Sequence, residues 1–324
     1  MPSSRELRHT RRIEHVGAPK RNDFTVSGWR LPTAFGLGSA GGWWVCERRR
    51  RPVWLTPAGV ARDGALHVRT LGTGRPVVLL HGLLGSGRFW GGTFDALAQC
   101  HQLIVPDLLG FGRSPRPDLS RYDPPAHAAA VATALDEAGA DGPATLVAHS
   151  LGVIVALAIA DEHPDLVQSV IGFGPPLYPD AASARGHVAA LGGLARMLAF
   201  DTPLAAQVCA WMCNHRRLAA FISQVVRPAL PPMVAVDSVE HSWPSYSRSM
   251  RHTLLDGQPI GRAWDRSCPV LLVAGTDDPV VDRAYLETLS RRTNVTLLTW
   301  QGGHDLPLRQ PLRCVELIAA HLDG

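Results

Sequence analysis

A serine stands between a predicted strand and a predicted helix in the segment AHSLG at residues 148–152. On such a tight turn the hydroxyl of Ser150 projects above the sheet, where it can act as a nucleophile. The amide of Leu151 begins the helix, so it can face a developing negative charge. The usual pattern is G-x-S-x-G, and the alanine in its first position is small enough for the turn. In the alternative interpretation, Ser150 is only a helix N-cap.

A second glycine-rich turn, HGLLG at residues 81–85, follows the apolar segment at 76–80. The carboxyl ends of parallel strands meet at one edge of a sheet, where ligands bind. The Leu83 amide is therefore a candidate second donor to the same negative charge. An ordinary strand-to-helix turn has the same composition, so this segment alone does not decide between the two interpretations.

An acid and a base follow two later strands. The segment GTDDP at 275–279 supplies Asp278, which can orient an imidazole, and Asp277 is the rival for that role. The segment GGHD at 302–305 supplies His304, which can act as general base for a serine. Alone, the first segment is typical of an Asp-Pro turn, and the second holds one of fourteen histidines. The serine, the acid and the base in this order, each just past a predicted strand, are far more specific than any one of them.

The elements that must position these residues alternate between short apolar strands and helices from about residue 66. Strands that are apolar throughout are typical of a parallel sheet covered by helices on both faces, so the predicted class is α/β with a mostly parallel sheet. The alternation stops near residue 174, and residues 175–262 predict helices only. The predicted strands are 66–71, 76–81, 102–105, 144–148, 167–173, 269–274 and 295–300, and the helices are 88–99, 126–138, 151–162, 282–292 and 311–322.

The composition is that of an ordinary globular protein, with 46% hydrophobic and 19% charged residues among 324. This excludes wholesale disorder, and no apolar run of about eighteen residues predicts a membrane-spanning helix. Residues 1–51 carry eleven basic and four acidic side chains. Such an arm can touch nucleic acid or anionic lipid, but we interpret it as a solvated terminus and expect no nucleic-acid partner. The predicted organisation is a basic extension at 1–51, a core at 52–174 and 263–324, and a helical insertion at 175–262.

The six cysteines show no pattern typical of a disulfide framework, so we expect reduced thiols in a cytoplasmic protein. Cys209 and Cys213 lie four residues apart, with His215 close by. A zinc site needs about four ligands, and we predict neither a metal nor a cofactor. Arg11 and Arg12 are followed by only a weakly apolar segment, which disfavours a secretory signal. Arginine supplies all but one of the 32 basic residues, which indicates GC-rich, bacterial coding.

Together these segments resemble the α/β-hydrolase superfamily. The segment DLLGFGRS at 107–114 strengthens the likeness, because it is similar to the D-x-x-G-x-G-x-S loop of that superfamily. The resemblance covers about residues 60–324, with 175–262 in the place of the variable helical cap. Serine stands where dehalogenases and epoxide hydrolases use a carboxylate, which disfavours those two activities. The resemblance implies an α/β-hydrolase fold with Ser150 as nucleophile, Asp278 as acid, His304 as base, and the Leu83 and Leu151 amides as oxyanion-hole donors.

The resemblance also implies an enzyme that cleaves an ester, thioester or lactone through an acyl-serine intermediate, with a small-molecule acyl substrate. Two alternatives stay open: a biosynthetic acyl-transfer or cyclisation enzyme with the same triad, and a non-catalytic binding protein on the same fold. Methionine and tryptophan in the helical insertion would suit a wall for a bulky apolar group, although such residues also fill ordinary cores. The sequence does not predict an oligomeric state. The candidate pocket residues are Phe89, Trp90, His149, Trp211 and Trp243.

Overall fold

A computed structural model describes residues 54–190, 202–256 and 268–323. Its strands are β1 (Val60–Asp63), β2 (His67–Leu71), β3 (Pro76–Leu80), β4 (Gln102–Pro106), β5 (Ala144–His149), β6 (Val167–Phe173), β7 (Val270–Gly275) and β8 (Val295–Trp300). They form one eight-stranded sheet in the order β1-β2-β4-β3-β5-β6-β7-β8. Only the β1–β2 and β2–β4 pairs are antiparallel among these strands. The prediction of a mostly parallel sheet is confirmed.

Helices connect the strands and cover the sheet. The α-helices are α1 (Pro124–Glu137), α2 (Leu151–Glu162), α3 (Ala181–Ala190), α4 (Pro203–Asn214), α5 (Arg216–Val226), α6 (Pro232–Asp237), α7 (Trp243–Arg248), α8 (Arg283–Leu289), α9 (Leu306–Arg309) and α10 (Pro311–Leu322). Short 3₁₀-helices cover Gly87–Trp90, Gly92–Gln99 and Pro164–Leu166, and a π-helix covers Ser249–Leu255. Local sequence explains where several begin. For example, Asp123 accepts the Ala126 amide at the start of α1, and Pro124 follows it.

The sheet separates two apolar layers. Along β3, Val78 and Leu80 join the layer that contains α1, α2 and α8. Val77 and Leu79 join the opposite layer, which contains the first two 3₁₀-helices and α10. Because both faces of the central strands are covered, apolar residues are needed at every position, which explains the uninterrupted apolar runs in the sequence.

The structure differs from the sequence-based expectation in two places. Residues 88–99 were expected to form one helix, but they form two 3₁₀-helices that meet at Gly91, whose φ is 57°. Strand β1 was not predicted, because all four of its residues are exposed and carry no apolar pattern. In the parts of 175–262 that the structure describes, the regular elements are helices, as expected.

Some predictions are not tested by the described residues. The basic extension at 1–51 lies outside them. The division into a core and an inserted cap stays a prediction. Among the helices that are described, none is long and apolar enough to cross a membrane.

Candidate active site

The turn that carries Ser150 is strained. Ser150 lies between β5 and α2 with φ 53° and ψ −125°, a conformation that costs a non-glycine residue about 1–3 kcal/mol. Backbone hydrogen bonds hold it there, from the Ser150 amide to the Phe173 carbonyl (3.0 Å) and from the Val153 amide to the Ser150 carbonyl (2.8 Å). The Ser150 hydroxyl makes no capping bond to α2. The N-cap interpretation therefore does not explain this serine.

Gly152 allows α2 to approach β3 closely. A β-carbon at this position would lie 2.6 Å from the His81 carbonyl oxygen and 2.7 Å from that of Leu80. Contacts this short would push the helix away from the strand, and Ser150 would move with it. The glycine at the end of the AHSLG segment thus has a packing reason.

Three side chains that are distant in sequence meet at the carboxyl edge of the sheet. The Nε2 atom of His304 lies 2.9 Å from Ser150 Oγ, and its Nδ1 atom lies 2.9 Å from Asp278 Oδ2. The three groups form one chain of hydrogen bonds that starts at the hydroxyl and ends at the carboxylate. This is the arrangement that activates a serine in acyl transfer. The catalytic roles of the three residues stay a prediction.

The two adjacent aspartates have different environments. The Asp278 side chain is completely buried, and its Oδ1 atom accepts a hydrogen bond from the Val280 amide (2.9 Å). Asp277 is exposed, and its amide donates to the Gly302 carbonyl (2.8 Å). Asp278 therefore contacts the imidazole. The backbone of Asp277 connects the loop at 275–279 to the loop at 302–305, which we call the histidine loop.

Opposing effects set the pKa of His304. Burial is the largest single influence and lowers the pKa, but the hydrogen bond and the negative charge of Asp278, with the negative charge of Asp305, outweigh it. The pKa is therefore raised above its ordinary value of 6.5. An Nδ1–H bond to Asp278 leaves Nε2 free to accept the Ser150 proton. The site can withdraw a proton from the hydroxyl and stabilise it on the imidazole.

The HGLLG turn lies against the serine. A β-carbon at Gly82 would be 3.0 Å from Ser150 Cβ, so a side chain at this position would crowd the hydroxyl-bearing residue. His81 fixes the turn, because its Nδ1–H donates to the Gly82 carbonyl (2.7 Å) and its Nε2 accepts the Leu108 amide (2.8 Å). Burial lowers the pKa of His81 more than nearby Asp107 raises it, so this imidazole is neutral.

The two candidate oxyanion-hole amides belong to residues that follow Gly82 and Ser150 directly in the chain. Leu83 follows Gly82 in the turn, and Leu151 is the first residue of α2. First-turn amides have no acceptor within their own helix, so they are available to an anion. The assignment of both amides to an oxyanion hole stays a prediction.

His149 contacts the backbone of the histidine loop. Its Nε2–H donates to the His304 carbonyl (3.0 Å), and its ring stacks on Phe89 with centroids 4.5 Å apart. Burial lowers the pKa of His149 well below 6.5, and the neighbouring His304 lowers it further. His149 therefore stays neutral when His304 takes up a proton. The sequence suggested His149 only as a pocket residue, and nothing in its spacing indicated this bond.

The five pocket candidates have different environments. Phe89 and Trp90 belong to the apolar layer of the first 3₁₀-helix, where Trp90 is 1% exposed and packs on Phe94. Trp243 is partly buried at the start of α7. Trp211 stacks on His215 and is 43% exposed. Phe89 contacts both Trp90, edge to face, and His149, by stacking, and the pocket assignment stays a prediction.

A groove of about 570 Å³ opens elsewhere on the described surface. It is bordered by β1, β2, the first 3₁₀-helix, the loop at 107–113 and α6, and its lining contains neither the hydrogen-bonded triad nor any of the five pocket candidates. Its position does not connect it with the chemistry at Ser150. We therefore do not assign the acyl substrate to this groove.

The cysteine pair has an unexpected neighbour. The Cys209 and Cys213 sulfurs lie 3.9 Å apart, and the histidine beside them is His241, 3.5 Å from Cys209, rather than His215. Within the described ranges, no group of three or more His, Cys, Asp or Glu side chains is arranged to hold a metal ion.

An ion pair between the half-buried Arg88 and the buried Asp237 joins the first 3₁₀-helix to α6. Asp237 accepts hydrogen bonds from the Ser86 hydroxyl and from Arg88 Nε (2.8 Å). Burial raises the pKa of Asp237, although Ser86 and Arg88 partly offset this. Sequence reasoning missed this network, because a single aspartate 149 residues from its partner carries no periodic signal.

Comparisons with known proteins agree with this architecture. A family model for the alpha/beta hydrolase fold matches residues 75–196. An esterase structure from Exiguobacterium antarcticum superposes with a TM-score of 0.63 at 17% identity, covering 82% of this chain and 100% of that one. The chain therefore has the α/β-hydrolase fold.

Two curated relatives cover different shares of the chain. A probable lysophospholipase of Arabidopsis thaliana, BODYGUARD 4, is 33% identical over 180 residues, which is 48% of this chain and 42% of that protein. The chain thus spans less than half the length of this plant relative. A 2-hydroxymuconate semialdehyde hydrolase of Pseudomonas is 27% identical over 277 residues, which is 78% of this chain and 88% of that protein.

Proposed function

We propose that this protein hydrolyses carboxylic esters through an acyl-serine intermediate. The carrying observation is the chain of two 2.9 Å contacts that links Ser150, His304 and Asp278 at the carboxyl edge of the sheet. The names of several relatives, a lysophospholipase, a lipase and esterases among them, support ester hydrolysis in general. Thioesters and lactones react by the same route and are included as substrates.

The chemistry begins with a proton transfer. Nε2 of His304 takes the Ser150 proton while Oγ attacks the ester carbonyl carbon. The carbonyl π electrons move onto oxygen, and the resulting anion accepts hydrogen bonds from the Leu83 and Leu151 amides. Asp278 stabilises the imidazolium and keeps its ring oriented.

The intermediate then collapses in two stages. The carbon–oxygen bond to the alcohol breaks, and His304 gives its proton to the departing oxygen, which leaves an acyl group on Ser150. Water next loses a proton to His304 and attacks the acyl carbon. The proton returns to Ser150 Oγ as the carboxylic acid leaves, so that the enzyme is restored.

The substrate side of the site is proposed from the same neighbourhood. Residues 175–262 would act as a cap over the triad, with Phe89 and Trp243 as candidate contacts to a moderately apolar acyl group. Apolar walls with a few convergent polar groups are typical of small-molecule sites.

Covalent labelling tests the proposal directly. A fluorophosphonate should attach to Ser150, and peptide mass spectrometry should find the adduct there and not in Ser150→Ala. A series of p-nitrophenyl esters of increasing chain length should then be hydrolysed by the unlabelled wild-type protein, and neither by Ser150→Ala nor by the labelled protein. Added alcohols or amines should not divert the acyl group, since hydrolysis rather than transfer is proposed. Failure of Ser150 to react, with all esters left intact, would contradict the proposal.

A further inference from the structure

Helix α5 has its apolar side in solvent. Leu218, Phe221, Ile222 and Val225 follow the i, i+3, i+4, i+7 spacing that places side chains on one helix face, and we call this face the apolar stripe. Phe221 is 63% exposed and Val225 is 61% exposed. In an ordinary globular protein such a face is turned towards the core.

The opposite side of α5 faces the protein and is small and polar. Ala219 and Ser223 are the buried residues of this helix, and the Ser223 hydroxyl lies 3.0 Å from that of Ser238. Arg216 is held inwards by the His241 carbonyl (3.0 Å) and by Glu240 (3.1 Å). The orientation of the helix is thus fixed by polar bonds, and its apolar stripe has no partner among the described residues that would explain it.

The charges around the apolar stripe have one sign. Residues 202–236 contain three arginines and neither aspartate nor glutamate. Arg216 is engaged inside, but Arg217 and Arg227 are exposed near the two ends of α5. A continuous apolar face of this kind marks an interaction surface, and the basic ends favour a negatively charged partner.

We propose that α5 binds the surface of an anionic phospholipid bilayer. The apolar stripe would enter the boundary between headgroups and acyl chains, and Arg217 and Arg227 would contact the anionic headgroups. Apolar residues on one side with arginine nearby are what an interfacial helix needs.

Vesicle co-sedimentation of the full chain tests this surface. Sucrose-loaded vesicles of phosphatidylcholine, with or without phosphatidylglycerol, are mixed with the protein and pelleted. Binding should be stronger to the anionic vesicles and should weaken as salt is added. The Phe221→Ser/Val225→Ser variant should bind about tenfold less tightly, since two exposed apolar side chains no longer enter the bilayer. Arg217→Gln/Arg227→Gln should lose about tenfold on anionic vesicles and little on phosphatidylcholine alone.

A matched control removes two exposed apolar side chains that lie outside α5. Leu119 is 97% exposed and Leu312 is 69% exposed, and neither belongs to α5, so Leu119→Ser/Leu312→Ser should bind vesicles like the wild type. Circular dichroism melting checks that each variant is folded. If the first stripe variant unfolds, Leu218→Ser/Ile222→Ser makes the same test with the other half of the stripe.

Three results would overturn the proposal. The first is a wild-type protein that binds neither vesicle, and the second is a stripe variant that binds as tightly as the wild type, which would assign the binding to another segment. The third is self-association that disappears in the stripe variant without vesicle binding, which would make the stripe a contact between copies. The measurement needs no turnover, so its failure is distinct from a failure of the proposed ester hydrolysis.

Discussion

Replacing Asp278 by asparagine should reverse the hydrogen-bond polarity of the site. Val280 donates its amide to Asp278 Oδ1, while His304 Nδ1 faces Oδ2. An asparagine in this position keeps its carbonyl oxygen towards the Val280 amide and therefore presents its NH₂ group to His304. Nδ1 must then be an acceptor, the proton moves to Nε2, and Nε2 can no longer accept the Ser150 proton.

The expected loss is large. A wrong imidazole tautomer costs about 10⁴-fold in kcat, which corresponds to about 5.5 kcal/mol of transition-state stabilisation. The remaining activity should also change its pH dependence. In the proposed mechanism the neutral imidazole of His304 is the base, so the rate should fall as the pH drops through the pKa of His304. Because Asp278 raises that pKa, the acidic limb of the wild type should lie above pH 6.5, and the limb of Asp278→Asn should move to lower pH.

Asp277→Asn is the matched control, because the exposed neighbour has the same chemistry without the contact to His304. The assay is kcat/KM for a p-nitrophenyl ester across a range of pH, with thermal melting of each variant. Asp277→Asn should stay within about threefold of the wild type, as surface substitutions usually do. Equal losses in the two variants, or a pH limb that Asp278→Asn leaves in place, would refute the reasoning.

Further variants test the strained turn at Ser150, the Arg88–Asp237 ion pair and the contact between His149 and His304. Ser150→Ala should lower ester turnover by about 10⁴-fold or more. Ser150→Gly should melt a few degrees above Ser150→Ala, because glycine relieves about 1 kcal/mol of strain at φ 53°. Equal melting temperatures of the two variants would argue against strain. Arg88→Met should lower the free energy of unfolding by about 3 kcal/mol in urea, since it leaves the buried Asp237 carboxylate uncompensated. The double variant Arg88→Met/Asp237→Leu should recover most of that free energy. No recovery would show that the two side chains do not stabilise the fold as a pair. His149→Phe keeps the stack on Phe89 but removes the bond to the His304 carbonyl, so kcat should fall about tenfold with little change in KM; an unchanged kcat would remove His149 from the positioning of the base.

The sequence was most informative for the strands that are covered by helices on both faces of the sheet. Strands such as β3 and β5 are buried at every position, so their apolar runs, and the polar residues that follow them, could be read directly. This is why the sequence predicts the serine, the acid and the base at one edge of the sheet.

Other features depend on contacts that local sequence does not encode. β1 is exposed at all four positions and forms only because β2 offers an open edge. Gly91 breaks the expected helix at 88–99 through its backbone conformation. The bond from His149 to the His304 carbonyl and the Arg88–Asp237 pair each join residues about 150 positions apart. Tertiary packing alone decides such pairs.

Two adjacent residues, His149 and Ser150, contact His304 at different atoms. Ser150 contacts the ring of His304, and His149 holds its main-chain carbonyl. In the proposed mechanism the first contact is interrupted, because an acylated serine has no hydroxyl proton to donate. The second involves no reacting atom and a neutral imidazole, so it persists while the acyl group is in place. The imidazole of His304 would therefore keep its position between acylation and deacylation. It would take the proton of water at the same place where it first took the proton of Ser150.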